Sequence, residues 1–306
     1  MAIETRPTTR RSLDDMHLSP GKYARLHRLL YQYGPGHGTL MLLPYDQGLE
    51  HGPRDFFPNP ASADPDYICR ISAEGNFSGV VFQYGIAAKY WPKWAGRVPL
   101  VLKLNGKTDI PSDAQALSPV QSSVEDAVRL GADAVGYTLY VGSPAQTQDF
   151  HQFMQVRQDC DRYGMPLIVW SYPRGEAVAA KGGRDSVYAI DYAARTALEL
   201  GADVVKINVP RIDPANDAKS PKPYSTTEWS LDEAVARVIA SCGRALVLIS
   251  GGERVPDDEL IQKAGASIRA GATGLIFGRN VWQRPYEQAI DMSRRLGQML
   301  VEAATG

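Results

Sequence analysis

The stretch LGADVVKINVP, residues 200–210, holds a helix end, a chain reversal and a strand in a few consecutive residues. Leu200 closes a segment of helical period over 188–200, and Gly201 can take the left-handed C-cap that turns the chain back. The segment after that turn, DVVKIN, is short, continuous and rich in valine and isoleucine, the signature of a parallel strand covered by helices on both faces. The same LGAD turn stands at 130–133, and AGAT occupies 270–273. Working outward, seven more such runs appear: 39–46 (TLMLLPYD), 79–84 (GVVFQY), 98–104 (VPLVLKL), 134–140 (AVGYTLY), 166–172 (PLIVWSY), 245–250 (ALVLIS) and 274–278 (GLIFG). Helical period fills 124–130, 231–241 and 256–270 between them. Eight strands alternating with helices predict an α/β chain folded as a single (β/α)8 TIM barrel over residues 39–306. No Pro/Ser/Gly-rich linker divides the chain, which disfavours two domains or a doubly wound sheet. Residues 1–38 form an N-terminal extension, whose amphipathic stretch 23–33 reads as an extra helix capping the N-terminal end of the barrel. Residues 210–230, with four prolines, read as a long loop on the catalytic face, where such loops often act as lids.

Composition excludes several classes. The chain has 306 residues, 33 basic against 34 acidic, and no basic stretch dense enough to track a nucleic acid. Cys69, Cys160 and Cys242 are far apart and odd in number, so neither a disulfide framework nor a CxxC metal clip is expected; they read as buried residues of a reducing cytoplasm. No apolar run reaches the roughly 18–20 residues that span a bilayer. The start MAIETRPTTRRSLDD lacks the apolar centre of a secretory signal. The five histidines include no HxxxH or HxH pair, so a metal-dependent reaction is disfavoured.

In a (β/α)8 barrel, chemistry sits at the C-terminal ends of the strands. Alternation puts Val204, Lys206 and Asn208 on one face of their strand. A lysine pointing into a barrel is desolvated, which favours the neutral amine and opens Schiff-base chemistry; a structural lysine paired with a buried carboxylate is the other reading. Trp170 and Tyr172 share a face, and Tyr172 can serve as acid or base beside an imine, or both can be core aromatics with satisfied polar tips. Asp46 ends the first run, with His51 in the loop beyond; the pair fits substrate contact or plain turn chemistry. Lys103 and Asn105 are weaker candidates, because a lysine at a strand end is commonly solvated. Ser250-Gly251-Gly252 and Gly278-Arg279 follow the last two strands, where barrels frequently hold phosphate through glycine amides and an arginine.

Taken together, YDQGLEHGPRDFF, LKLNGKT, VGYTLYVGS, VWSYPRG, GADVVKIN, LISGG and GATGLIFGRNVWQ, in that order, resemble the archaeal-type class I fructose-bisphosphate aldolases of the lysine-barrel (DhnA/DeoC) superfamily. The resemblance spans about 39–285. It implies reversible aldol cleavage of fructose 1,6-bisphosphate, a phosphosugar, through a lysine imine, without metal or separate cofactor, in a cytoplasmic homo-oligomer. It assigns the imine to Lys206, proton transfer to Tyr172 with Trp170 and Arg174 beside it, and hydroxyl contacts to Asp46 with His51 following. Phosphate falls to Ser250, Gly251, Gly252, Gly278 and Arg279, and Arg174 is the candidate for the second phosphate. Many members carry a second lysine where this chain has Asn208. Another lysine-imine synthase or thiolase, a phosphosugar isomerase or epimerase, and a non-catalytic phosphometabolite barrel are the alternatives.

Overall fold

The computed structural model describes residues 10–306; the first nine residues of the 1–38 extension, and with them much of MAIETRPTTRRSLDD, lie outside the described residues. Eight parallel strands close into a barrel in chain order: β1 (Leu40–Pro44), β2 (Gly79–Gln83), β3 (Leu100–Lys103), β4 (Ala134–Val141), β5 (Leu167–Pro173), β6 (Val204–Asn208), β7 (Leu246–Ser250) and β8 (Gly274–Ile276). Every apolar run of the sequence coincides with one of these strands to within a few residues at each end. β3 begins only after Pro99, which has no N–H for the ladder. β8 stops early because Gly278 opens the short helix Arg279–Trp282.

Alternation along each strand builds two cores. Val205 and Ile207 of β6 face outward into the layer beneath the helices, while Val204 faces inward with Leu42, Val81, Val101, Ile168 and Leu246. The helices Val124–Leu130 and Val187–Leu200 end at Gly131 and Gly201, both left-handed at φ 71° and 102°, so the LGAD turns work as C-caps.

The helix Pro20–His27 and a π-helical turn, Arg28–Gln32, precede β1. Leu26, Leu29 and Leu30, with Leu13, pack into the inner barrel core. Lys22 Nζ pairs with Asp203 at 2.9 Å and Asp161 at 2.8 Å, and Arg28 pairs with Asp133 at 3.1 Å. The aspartates of the two LGAD turns therefore anchor this segment across the N-terminal end of the barrel.

Residues 210–230 differ from a free loop over the mouth. They contain the short helix Pro214–Asp217 and the turn Tyr224–Thr226. Tyr224 donates to Asp191 on the helix Val187–Leu200 at 2.5 Å, and Ser220 Oγ donates to the Lys181 carbonyl at 3.1 Å. No residue of 210–230 lines the cavity at the barrel mouth. Tyr224, edge-on to Tyr188 and stacked on Trp229, helps hold the segment on the barrel's flank instead.

Candidate active site

A cavity of about 510 Å³ opens at the C-terminal ends of the strands, and every residue to which the sequence resemblance gives a role lines it. Lys206 and Tyr172 meet at its floor. Lys206 is 6% exposed; its amine lies 4.3 Å from the centre of the Tyr172 ring and 5.9 Å from that of Trp170, and no carboxylate among the described residues pairs with it. Burial lowers its pKa to about 7, with Asp46 and Glu50 opposing and Lys103 and Arg279 assisting. A free amine is thus abundant near neutrality.

Lys103 overturns the expectation of a solvated strand-end lysine. It is fully buried, bridges Asp46 Oδ2 at 3.2 Å and Glu50 Oε1 at 3.0 Å, and lies 5.0 Å from the Trp170 ring centre. Burial alone would lower its pKa, but the carboxylates of Glu50 and Asp46 outweigh that and hold its proton above the ordinary lysine value. The structural, carboxylate-paired lysine in this barrel is Lys103, and Lys206 is the one left without a counter-ion. Close packing makes this possible. Gly136, on the inner face of β4, leaves the space filled by the Lys103 stem and the Trp170 indole; a Cβ there would come within 2.7 Å of Trp170 and 2.9 Å of Lys103. Asn105 is buried too, but its amide holds backbone groups of Ser118 and Thr138 and does not face the cavity.

The glycine loops form one rim. Ser250 Oγ donates to Asn208 Oδ1 at 2.5 Å, Gly252 is left-handed at φ 65°, and buried Asn280 ties the loop through the Glu253 carbonyl and the Val255 amide. Arg279 reaches in from the end of β8, with Asp55 behind it at 3.7 Å, and His51 Nδ1 meets the same Asp55 at 2.8 Å. Gly278 packs against Pro44 of β1. Across the mouth, Arg174 stands over the rings of Tyr172 and Tyr140, at 5.3 and 5.7 Å, beside Lys107 and Arg184.

Lys107, a weaker candidate of the sequence beside Lys103 and Asn105, does line the cavity, whereas Glu50, Tyr140, Arg184 and Asp113 were not singled out by the sequence. Tyr140 was recoverable, since alternation from Ala134 through Gly136 and Thr138 carries it inward. Burial raises its phenol to about 12, so it stays protonated near neutrality. Glu50 reaches Lys103 only because the short helix Gln47–Glu50 folds back over the mouth, a placement that no local pattern records.

A closed parallel barrel with an unpaired, readily deprotonated lysine between a glycine rim and an arginine rim defines a barrel fitted for imine chemistry on an anionic carbonyl substrate. Residues 40–284 match the DeoC/LacD family aldolases, and the chain belongs to that family. It is 42% identical to the fructose-bisphosphate aldolase class 1 of Thermoproteus tenax, covering 86% of this chain and 90% of that one. Identity to the fructose-bisphosphate aldolase/6-deoxy-5-ketofructose 1-phosphate synthase of Methanocaldococcus jannaschii is 30%, covering 87% and 82%. The fold also superposes on an archaeal fructose-1,6-bisphosphate aldolase whose catalytic lysine is covalently bound to the carbinolamine intermediate, with a TM-score of 0.77, 37% identity, and coverage of 91% of this chain and 98% of that one.

Proposed function

We propose that this protein is a class I fructose-bisphosphate aldolase, cleaving fructose 1,6-bisphosphate reversibly to dihydroxyacetone phosphate and glyceraldehyde 3-phosphate through an imine on Lys206. The observation that carries this reading is the division of labour between two buried lysines. Lys103 takes both carboxylates, and Lys206 is left as an amine with its pKa near 7. An isomerase working by carboxylate acid–base chemistry fits less well, because Asp46 and Glu50 are both engaged by Lys103.

In this mechanism the neutral Lys206 Nζ attacks the C2 ketone, giving a carbinolamine that loses water to the protonated imine. The C4 hydroxyl then gives up its proton, the C3–C4 bond breaks, and its electron pair passes into the enamine as glyceraldehyde 3-phosphate leaves. Protonation at C3 and hydrolysis of the imine return dihydroxyacetone phosphate and the free amine. Tyr172, packed against Lys206, is the proton carrier within reach. Asp46, held by Lys103, orients substrate hydroxyls, with His51 and Trp170 lining the same space. Ser250, Gly251, Gly252, Gly278 and Arg279 take the C1 phosphate, and Arg174 takes the C6 phosphate. Binding both ends fixes C2 against the amine. The imine supplies the electron sink, the role a metal would otherwise play in this cleavage.

A cytoplasmic homo-oligomer goes with this reading, and buried, unpaired Cys69, Cys160 and Cys242 accord with a reducing compartment. The test is borohydride reduction with dihydroxyacetone phosphate in the presence of EDTA. Mass spectrometry is expected to find the reduced adduct on the peptide carrying Lys206; an unmodified Lys206 at saturating ligand overturns the imine mechanism.

A further inference from the structure

The two rims proposed for the phosphates carry different carboxylate partners. At the glycine rim, Arg279 faces Asp55, whose side chain is only 11% exposed; Asp55 also meets His51 at 2.8 Å, and its carbonyl accepts from Gln283 Nε2 at 2.7 Å. That carboxylate is locked in place, and at 3.7 Å from Arg279 it leaves the guanidinium free to face a ligand.

At the opposite rim one carboxylate holds two cations. Asp113 Oδ1 lies 2.8 Å from Lys107 Nζ, and Asp113 Oδ2 lies 3.2 Å from Arg174 Nε. The third cation, Arg184, stands 3.8 Å from Asp185. Asp113 begins the turn Asp113–Gln115, in the connection between β3 and β4, and its side chain is 43% exposed. It is therefore an anion on a surface turn occupying the Lys107 and Arg174 donors that a phosphate would use.

We propose that Asp113 is a resident stand-in for the distal phosphate, and that substrate must displace it to engage Lys107 and Arg174. This rests on the proposed aldolase reading. Asp113 is then a specificity-determining residue: it masks the distal cations from weak anions and sets how much the C6 phosphate adds to affinity. A dianionic phosphate outcompetes a single carboxylate for two cations, whereas a substrate lacking that phosphate leaves the Asp113 contacts undisturbed. The glycine rim, with its fixed Asp55, carries no such competition.

The experiment compares kcat/KM for fructose 1,6-bisphosphate with that for fructose 1-phosphate in the intact enzyme, for wild type, Asp113→Asn and Asp113→Glu. A partly exposed ion pair predicts that Asp113→Asn raises the bisphosphate-to-monophosphate ratio by about threefold or more. Asp113→Glu, which keeps the charge, is expected to stay near the wild-type ratio. An unchanged or lowered ratio in Asp113→Asn overturns the proposal, as does an equal rise in both variants. Borohydride trapping of dihydroxyacetone phosphate, run in parallel, separates the two levels: an adduct without a ratio change sinks the role of Asp113 alone, and no adduct in wild type sinks the aldolase reading.

Discussion

Lys206 and Lys103 differ in chemistry because they differ in partners. Below about pH 7 Lys206 must hold a proton inside the barrel, and the folded state carries the desolvation penalty in full. Between pH 7 and the ordinary lysine range the unfolded chain binds a proton that the folded chain does not, so the penalty fades as pH rises. Lys206→Met is therefore expected to abolish borohydride trapping while stabilising the fold by about 1–3 kcal/mol at pH 6. Denaturation followed from pH 6 to 10 should show that gain shrinking; a loss of stability at pH 6 contradicts the burial argument. Lys103→Met does the reverse. It leaves Asp46 and Glu50 without their cation, costing about 3 kcal/mol, and removes a charge that keeps the Lys206 pKa low. The pH midpoint of trapping should climb by about one unit or more, and an unmoved midpoint in the folded variant denies the electrostatic coupling.

At the scale of the element, the strands were legible because a buried parallel strand has one way to look: β6 reads as VVKIN whether or not its neighbours are known. The inward face of β6 was legible for the same reason, and with it Lys206. The environment of Lys103 was not, because its partner Glu50 is 53 positions away on the fold-back after β1. Residues 210–230 were misleading in the same way: prolines announce irregular chain but not the flank on which it packs. The helix Pro20–His27 shows how a pattern and a tertiary contact combine. Leu26, with Leu29 and Leu30 of the turn that follows, keeps helical period, yet the fixed placement of the helix comes from Lys22 on Asp203, an aspartate whose pKa is raised by burial despite that cation. Lys22→Met is expected to cost about 3 kcal/mol at pH 7 while leaving the trapping rate per folded molecule unchanged. The deficit should be smaller at pH 5 than at pH 7, because burial raises the Asp203 pKa and a falling pH neutralises its carboxylate. Urea titrations at the two values check this, and a pH-independent deficit points to lost packing instead.

For the molecule as a whole, the two barrel ends are opposites: leucines close one, and the other holds a charged cavity in a protein whose basic and acidic residues nearly cancel, 33 against 34. Attraction for a bisphosphate must then come from placed groups, and these stand on opposite rims with Lys206 between them. That geometry makes the two arginines separable. Arg279 belongs to the rim proposed for the C1 phosphate, which fructose 1,6-bisphosphate and dihydroxyacetone phosphate share, so Arg279→Gln should weaken both by about tenfold to a hundredfold, the worth of a charge-assisted phosphate contact. Arg174 belongs to the rim proposed for the C6 phosphate, which dihydroxyacetone phosphate lacks. Arg174→Gln should raise KM for the bisphosphate by a similar factor and leave half-saturation of trapping by dihydroxyacetone phosphate within about twofold of wild type. Steady-state cleavage and ligand-dependent trapping, measured on the same preparations, read both quantities. If the two substitutions weaken both ligands alike, the rims do not act separately and the substrate does not span the mouth in the proposed direction. If Arg174→Gln alone weakens trapping, the orientation is reversed, with the C1 phosphate at the arginine rim.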